Sequence, residues 1–284
     1  FYAPGTIIED ARRHGVRMRR IDIRRSGWDH ALEDIGTRNA ERGTRTTDRV
    51  PGPASRVPAV RLGLRLVKGL GSKAKETFEA ARNDGPFISV EDFVRRTGFD
   101  RRSLRHLAMA GAFDGFLKSE PDLERRRAAL WQVLESARGD AGPLAPRNAE
   151  RGTRNAHESR TGSRVPRPGL PSMSPGELTE ADYRMTGLSL NGHPMRHLRP
   201  LLTPNGVLST TQIARARDGD RVAVAGLVIC RQRPGTAKGF VFLTLEDECG
   251  LVNVVITPQR FDREALLIAT TPLLLDRGVL QIEQ

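Results

Sequence analysis

Val67-Lys68-Gly69-Leu70-Gly71 is the stretch that says most about the fold of this chain. Glycines two residues apart permit a tight turn with positive φ and leave backbone N–H groups uncovered. Helical periodicity on both sides predicts a hairpin between helices, whose N–H groups can bind a phosphate together with the start of the next helix. Lys68, Lys73 and Lys75 flank the turn and are three of the five lysines in the chain. An ordinary interhelical turn with a C-capping glycine is the alternative.

Amphipathic helices follow this hairpin. Ser72 is expected to cap the next helix, and Ser89 and Asp100 are expected to cap two more. Residues 123–137 have the spacing of a further amphipathic helix. We therefore predict a tandem helix-hairpin-helix domain over residues 59–140. Its predicted DNA-binding residues are Lys68, Gly69, Leu70, Gly71, Ser72, Lys73 and Lys75.

The hydrophobic period changes to two from Arg221 onward. Three alternating strands, a helix and two short strands at 273–275 and 279–282 have the order of a five-stranded OB-fold β-barrel. We predict this barrel for residues 219–284, truncated at its C-terminal end. Aromatic and cationic residues near its first hairpin suit single-stranded nucleic acid, because bases stack on rings and phosphates pair with cations. The predicted contacts are Arg231, Arg233, Lys238, Phe240 and Phe242, and the alternative is that the two phenylalanines fill the barrel interior.

Two segments of the chain repeat one another. Residues 38–45, Arg-Asn-Ala-Glu-Arg-Gly-Thr-Arg, recur letter for letter at 147–154. The surrounding segments 36–58 and 141–172 are poor in large apolar residues, so we predict two disordered inserts. They contribute +7 of the net charge of +12. The duplication favours dispensable loop insertions over Arg-rich arms that bind nucleic acid, and the basic composition is then mostly a property of the inserts.

Composition and motifs exclude several classes of function. No run of 18 apolar residues is present, so no transmembrane helix is predicted. Cys230 and Cys249 are too few for a disulfide scaffold or a four-ligand zinc site. The chain contains no P-loop and no nucleophile constellation. The acidic run Glu246-Asp247-Glu248 is expected to be a solvated turn, so no catalytic or metal-binding residue is predicted.

Several longer strings carry a resemblance to a known family. The most specific are Asp-Tyr-Arg-Met-Thr-Gly-Leu-Ser-Leu at 182–190, His-Pro-Met at 193–195 and Arg-Gln-Arg-Pro-Gly-Thr-Ala-Lys-Gly at 231–239. The strings at 9–16 and 26–29 resemble the end of the fingers region of bacterial C-family DNA polymerases. Together the strings are similar to the error-prone branch of that family, which is related to the DNA polymerase III alpha subunit.

The resemblance implies a DNA-directed DNA polymerase, a nucleotidyltransferase that uses Mg²⁺ and dNTPs in translesion synthesis and DNA repair. It assigns residues 1–35 to the end of the fingers region, and residues 173–218 are interpreted as a helical connector. The family's catalytic aspartates lie upstream in the palm, so this chain alone is predicted to be inactive. The implied partners are duplex and single-stranded DNA, accessory translesion proteins and, indirectly, the sliding clamp, with no membrane and a cytoplasmic location.

The sequence thus predicts an α+β multidomain chain. A tandem helix-hairpin-helix domain precedes an OB-fold barrel, and two disordered inserts interrupt the order. A non-enzymatic nucleic-acid-binding adaptor with the same two modules is the alternative function. A helicase or nuclease fragment is a third possibility, although the missing P-loop argues against a helicase.

Overall fold

The computed structural model describes residues 4–35, 57–137, 169 and 171–282. It divides into two compact units, Phe1–Leu190 and Asn191–Gln284, whose boundary falls inside the predicted connector 173–218. Most of the two predicted inserts lies outside the described residues, so their disorder stays a prediction. The residues of those inserts that the structure describes are Val57, Pro58, Gly169, Pro171 and Ser172.

The first unit begins with helix α1 (Pro4–Arg13) and a small sheet. Its strands are β1 (Arg17–Arg19), β2 (Ala31–Ile35) and β3 (Val57–Arg61), with β3 in the centre, parallel to β1 and antiparallel to β2. The sequence does not predict β2 or β3, and it places Val57 and Pro58 in an insert. The reason is that β2 is held by a tertiary contact, in which Arg61 donates two hydrogen bonds of 2.7 Å to the carboxylate of Glu33.

In the described part of the first unit, five helices follow a short 3₁₀ turn at Leu64–Leu66. They are α2 (Ser72–Asn83), α3 (Val90–Thr97), α4 (Arg101–Met109), α5 (Arg125–Ser136) and α6 (Pro175–Thr186). Their apolar faces enclose a core in which the rings of Phe87 and Phe113 pack edge-on against Phe93, at centroid distances of 4.9 and 5.3 Å. Edge-to-face packing of this kind adds to the stabilisation from burial alone.

Two of the three predicted helix caps are confirmed. The Ser89 hydroxyl accepts a hydrogen bond from the N–H of Asp92, and the Asp100 carboxylate accepts one from the N–H of Ser103. The prediction for Ser72 is wrong, because Ser72 is the first helical residue of α2 and Gly71 is the N-cap. Gly71 has the extended backbone that an N-cap requires, and it has no side chain to bond the exposed N–H groups.

A buried ion pair attaches α6 to the rest of the first unit. The Arg126 side chain is only 2% exposed, and its guanidinium donates to Asp182 at 2.6 Å. The same guanidinium donates to the carbonyl groups of Met109 and Leu178. The second carboxylate oxygen of Asp182 accepts from the Ser189 hydroxyl at 2.6 Å. Removing one partner of such a pair leaves an uncompensated buried charge, which costs about 3–5 kcal/mol.

The second unit is a curled sheet with short helices. Its elements are α7 (Pro194–Leu202), a 3₁₀ turn (Thr203–Asn205), β4 (Val207–Leu208), α8 (Thr210–Ile213), β5 (Arg221–Gln232), β6 (Val241–Glu246), β7 (Leu251–Ile256), α9 (Pro258–Thr270) and β8 (Leu273–Val279). The strand order is β4-β5-β6-β7, and β8 pairs with β5. This arrangement is consistent with an OB-like fold, as the alternating pattern from Arg221 predicts.

The end of this sheet differs from the sequence prediction. The strands predicted at 273–275 and 279–282 are one strand, β8, which ends at Val279. Gly278 does not interrupt it, because Gly278 pairs in register with Val222 of β5. In the part of the chain that the structure describes, no helix is long and apolar enough to cross a membrane.

The first insert joins two strands whose ends are paired, since Ile35 lies opposite Val57 in the β2–β3 ladder. A two-residue Asn-Gly turn can therefore replace residues 36–56. We expect the free energy of unfolding to stay the same or to rise by up to about 2 kcal/mol, because each halving of a loop saves ~0.6 kcal/mol of closure entropy. Urea unfolding of both proteins measures the difference.

Gly63→Ala is the control for this exchange. A Cβ at Gly63 would lie 2.4 Å from the backbone carbonyl of Asp29, so the substitution should destabilise the first unit. A loss of several kcal/mol on the loop exchange itself would show that residues 36–56 contribute to the fold.

Asp114 is predicted to make stability depend on pH. Burial raises the pKa of its carboxyl to about 6, and Arg126 offsets this only in part. One carboxylate oxygen of Asp114 is buried and has no hydrogen-bond partner among the described residues. Because the folded state binds the proton more tightly than the unfolded state does, stability falls as the pH rises from about 4 to about 6.

Asp114→Asn removes this titration. Relative to the variant, the wild type should lose roughly 2–3 kcal/mol between pH 4 and pH 7, at about 1.4 kcal/mol per unit of pKa shift. Urea unfolding of both proteins across this range gives the difference, in which the other titrating groups cancel. A difference that stays constant with pH would contradict the raised pKa.

Candidate nucleic-acid interface

The hairpin Lys68–Gly71 connects the 3₁₀ turn to α2 and is solvent-exposed except at Leu70. Gly69 has φ = +87°, in the left-handed region that favours glycine. Gly71 has φ = −100°, so only the first glycine needs conformational freedom. The expectation that both glycines serve positive φ is therefore correct for Gly69 and wrong for Gly71. Leu70 packs against the core of the first unit and anchors the turn.

The start of α2 is open. Among the described residues, the N–H groups of Gly71, Ser72 and Lys73 have no hydrogen-bond acceptor, and no side chain caps the helix. All three residues are exposed. The aligned peptide dipoles give a helix N-terminus a partial positive charge, which favours an anion at these donors. This geometry fits a phosphate group.

The second hairpin, between α3 and α4, is different. Gly98 has φ = +57°, as in a tight turn, but the N-terminus of α4 is occupied by the carboxylate of Asp100. Hydrogen bonds from Ser103 lower the pKa of Asp100, so this carboxylate stays charged. A phosphate there would meet a negative charge. Of the two hairpins, the first offers the free N–H groups.

Lys68 attaches the hairpin to α6. Its backbone N–H donates to the carbonyl of Met185 at 2.8 Å, and its Nζ donates to the carbonyl of Tyr183 at 3.3 Å. Both carbonyls lie in the last turn of α6, where a cation is favoured by the helix dipole. Lys68 therefore has a positioning contact that the sequence did not predict.

His106 of α4 holds the hairpin on its other side. Its Nδ1 lies 2.6 Å from the carbonyl oxygen of Lys68. A carbonyl only accepts, so Nδ1 carries the proton in this contact. A side chain at Gly69 would approach the same Nδ1 to 2.9 Å. The sequence prediction missed His106, because nothing in its local pattern links α4 to a loop 38 residues earlier.

The other two lysines near the hairpin, Lys73 and Lys75, differ in whether they form an ion pair. Lys73 is exposed at the first turn of α2, and it forms no ion pair with the described residues. The Nζ of Lys75 lies 3.9 Å from Glu79, one turn along the same helix. Exposed pairs of this kind are weak. Of the predicted residues, Gly71, Ser72 and Lys73 lie at the open helix end, while Lys68, Gly69 and Leu70 shape the turn.

The predicted cations of the second unit differ in whether they are bound within the protein or face solvent. Arg231 donates through Nε to the carbonyl of Ile268 at 2.8 Å and also bonds the carbonyl of Thr271, so it binds the C-terminal end of α9. Arg233 lies over the ring of Phe261 at 4.5 Å. Lys238 is exposed in the loop before β6. Arg231 is thus engaged within the protein, whereas Lys238 faces solvent.

The two predicted aromatic residues differ in their exposure to solvent. Phe242 lies on the exposed face of β6 and is 40% exposed, while its neighbours Val241 and Leu243 are buried. In the ladder it lies beside Val255 of β7, which is 52% exposed. Phe240 is half-buried and precedes the strand. The interior alternative is therefore wrong for Phe242, which contributes to an exposed apolar face on β6 and β7.

The acidic run 246–248 is not the solvated turn that the sequence predicts. Glu246 and Asp247 are buried. Asp247 accepts hydrogen bonds from the N–H and the hydroxyl of Thr210, and Arg199 of α7 pairs with Glu248 at 2.5 Å. Tertiary contacts thus use this run to join α7 and α8 to the β6–β7 turn.

The described residues were compared with the ligand sets that metal ions use. They contain no group of three or more His, Cys, Asp or Glu side chains that could hold a metal ion. The acidic run fits a structural role, because its oxygen atoms already accept protein hydrogen bonds.

Comparison with known proteins agrees with this geometry. Residues 15–127 match the helix-hairpin-helix motif family. The chain is 38% identical over 283 residues to the error-prone DNA polymerase 2 of Rhizobium meliloti (strain 1021), covering 100% of this chain and 24% of that protein. It is 38% identical over 283 residues to the error-prone DNA polymerase of Burkholderia pseudomallei (strain K96243), of which it covers 23%. It is 40% identical over 264 residues to that of Aromatoleum aromaticum, covering 93% of this chain and 21% of that protein.

The hairpin and its open helix end define a helix-hairpin-helix segment. The relatives make this more specific, because the whole chain is similar to one part of error-prone DNA polymerases. It spans about a quarter of the length of the curated relatives that it matches.

Lys68 and Lys73 should respond differently to removal of their charge. Lys73→Ala is expected to weaken duplex DNA binding and to reduce the log–log salt slope by about 1, as loss of one phosphate contact does. Lys68→Ala is expected to leave that slope unchanged and to lower the melting temperature slightly, because it removes the bond to Tyr183. Duplex Kd across a salt series and thermal unfolding measure both effects. An equal loss of slope in the two variants would mean that Lys68 also contacts a phosphate.

Proposed function

We propose that this chain is a DNA-binding part of an error-prone DNA polymerase. The observation that carries the proposal is the uncapped start of α2, where the N–H groups of Gly71, Ser72 and Lys73 are exposed beside a glycine with positive φ. Such a site binds a backbone phosphate without reading the base. The first unit would thus hold duplex DNA in any sequence, as a polymerase requires.

The second unit would hold the single-stranded template. We propose that β5 to β8 with α9 form part of an OB barrel, whose exposed β6–β7 face binds oligonucleotides. Phe242 supplies a stacking surface there, and Lys238 supplies a cation in the adjoining loop. Stacking tolerates any base, because every base has a π-face. This is the property that a template-binding surface needs.

The activity of the whole protein is part of the same proposal. The parent would be a DNA-directed DNA polymerase that uses Mg²⁺ and dNTPs in translesion synthesis and DNA repair, with its catalytic palm upstream of this C-terminal part. Accessory translesion proteins, the sliding clamp reached through them, and a cytoplasmic location belong to it as well. The similarity over the whole chain supports this assignment.

Primer extension tests the division of roles. With dNTPs and Mg²⁺, this chain alone should bind a primed template and should not extend the primer. Extension above a heat-inactivated control would overturn the assignment of catalysis to another part of the protein. The adaptor alternative is tested by the adjoining coding sequence, in which paired acidic motifs in frame upstream favour the polymerase.

Phe242→Ala should weaken binding of single-stranded DNA by about 1–3 kcal/mol, the usual contribution of one stacked base. Duplex binding should change little. Leu266→Ala is the matched control, since Leu266 is a 78% exposed apolar residue on α9 and is not part of the β6–β7 face. Fluorescence anisotropy with single-stranded and duplex oligonucleotides separates the two effects. Equal losses in Phe242→Ala and Leu266→Ala would argue against a stacking role.

A further inference from the structure

Helix α4 carries an unusual charge pattern. Its residues Arg101–Met109 include three arginines and no acidic residue. All three arginines are exposed, and none forms an ion pair with the described residues. They are Arg101, Arg102 and Arg105.

Several arginines on other helices of the same unit are neutralised by acidic residues. Arg12 of α1 pairs with Glu9, Arg96 of α3 pairs with Asp92, and Arg184 of α6 pairs with Glu180. In α5, Arg126 and Arg127 pair with acidic residues of α6. The unpaired charge of α4 is therefore a property of this helix and does not follow from arginine content alone.

This pattern is unfavourable for the free protein. Arg101 and Arg102 occupy the first turn, where the helix dipole disfavours cations. The Asp100 carboxylate attracts Arg102 and offsets this cost in part. Arg101 and Arg105 are four residues apart, a spacing at which like charges repel. A bound polyanion would relieve both effects. The cost in the free protein thus points to a ligand with negative charge.

The helical geometry of α4 shows which of its arginines lies on the side of the hairpin. At 3.6 residues per turn, Arg102 lies only ~40° around the helix from His106, whereas Arg101 lies ~140° away. His106 contacts the hairpin directly, through Nδ1 and the carbonyl of Lys68. Arg102 is therefore on the strip of α4 that borders the hairpin. Arg101 lies towards the opposite edge of the exposed face.

We propose that Arg102 binds a backbone phosphate of the same DNA duplex that the hairpin holds. The proposal rests on the proposed function of the hairpin and extends it to a second helix. Through its contact with the hairpin, His106 fixes the distance between the two phosphate contacts and acts as a positioning residue. The second hairpin would then contribute a side-chain cation of α4, while its helix N-terminus stays occupied by Asp100.

The experiment compares Arg102→Gln with Arg101→Gln in the full chain. Arg102→Gln is expected to raise the duplex Kd severalfold at low salt and to reduce the log–log salt slope by about 1. Its melting temperature should change little, because the cost of a cation at the helix N-terminus and its attraction to Asp100 are lost together. Arg101→Gln removes the same charge from the same helix and should leave Kd and slope unchanged. Arg102→Lys should restore the slope, because the contact requires charge.

The outcomes separate this inference from the proposed function. If Lys73→Ala flattens the salt dependence and Arg102→Gln does not, the role of Arg102 is wrong and the hairpin site stands. Equal effects of Arg101→Gln and Arg102→Gln would also overturn it, as would a lower melting temperature of Arg102→Gln that Arg102→Lys does not restore. If the wild-type chain fails to bind duplex DNA, the hairpin function and the role of Arg102 both fail.

Discussion

The buried guanidinium of Arg126 is the interaction on which the first unit depends. It joins the end of α4, through the carbonyl of Met109, to the carboxylate of Asp182 on α6. Because α6 is fixed there, its last turn presents the carbonyls of Tyr183 and Met185 to the hairpin. The shape of a surface loop thus depends on an ion pair in the interior.

The hairpin is held from two sides. On one side Lys68 donates to α6, and on the other His106 bonds the Lys68 carbonyl. Neither contact uses the N–H groups at the start of α2, so these donors stay available. Pre-positioned donors bind an anion with little loss of conformational entropy, which is the advantage of building such a site on a rigid turn.

The distribution of charge also indicates that the hairpin region is the DNA contact. Many arginines of this basic chain act inside the protein, as ion-pair partners or as donors to carbonyl groups. Arg61 binds β2, Arg199 binds the acidic turn, and Arg231 binds the end of α9. Lys73 and the arginines of α4 are exposed and form no ion pair with the described residues. Net charge alone would have assigned the DNA contact to the inserts, which carry +7 of the +12.

The sequence by itself determined the features that depend on neighbours along the chain. The glycine turn at 69, the caps at Ser89 and Asp100 and the alternating strands from Arg221 follow from local backbone and side-chain chemistry, and all are confirmed. The family strings predicted the polymerase family in the same way.

Only the tertiary structure decided what each exposed group faces. Lys68 and Lys73 look equivalent in sequence, yet one bonds α6 and the other is exposed at an open helix end. Contacts between residues far apart in the chain also form the strands β2 and β3 and bury Glu246 and Asp247. The role of His106 depends on such a contact as well. Such pairings are set by the packing of whole elements, so no local pattern could have predicted them.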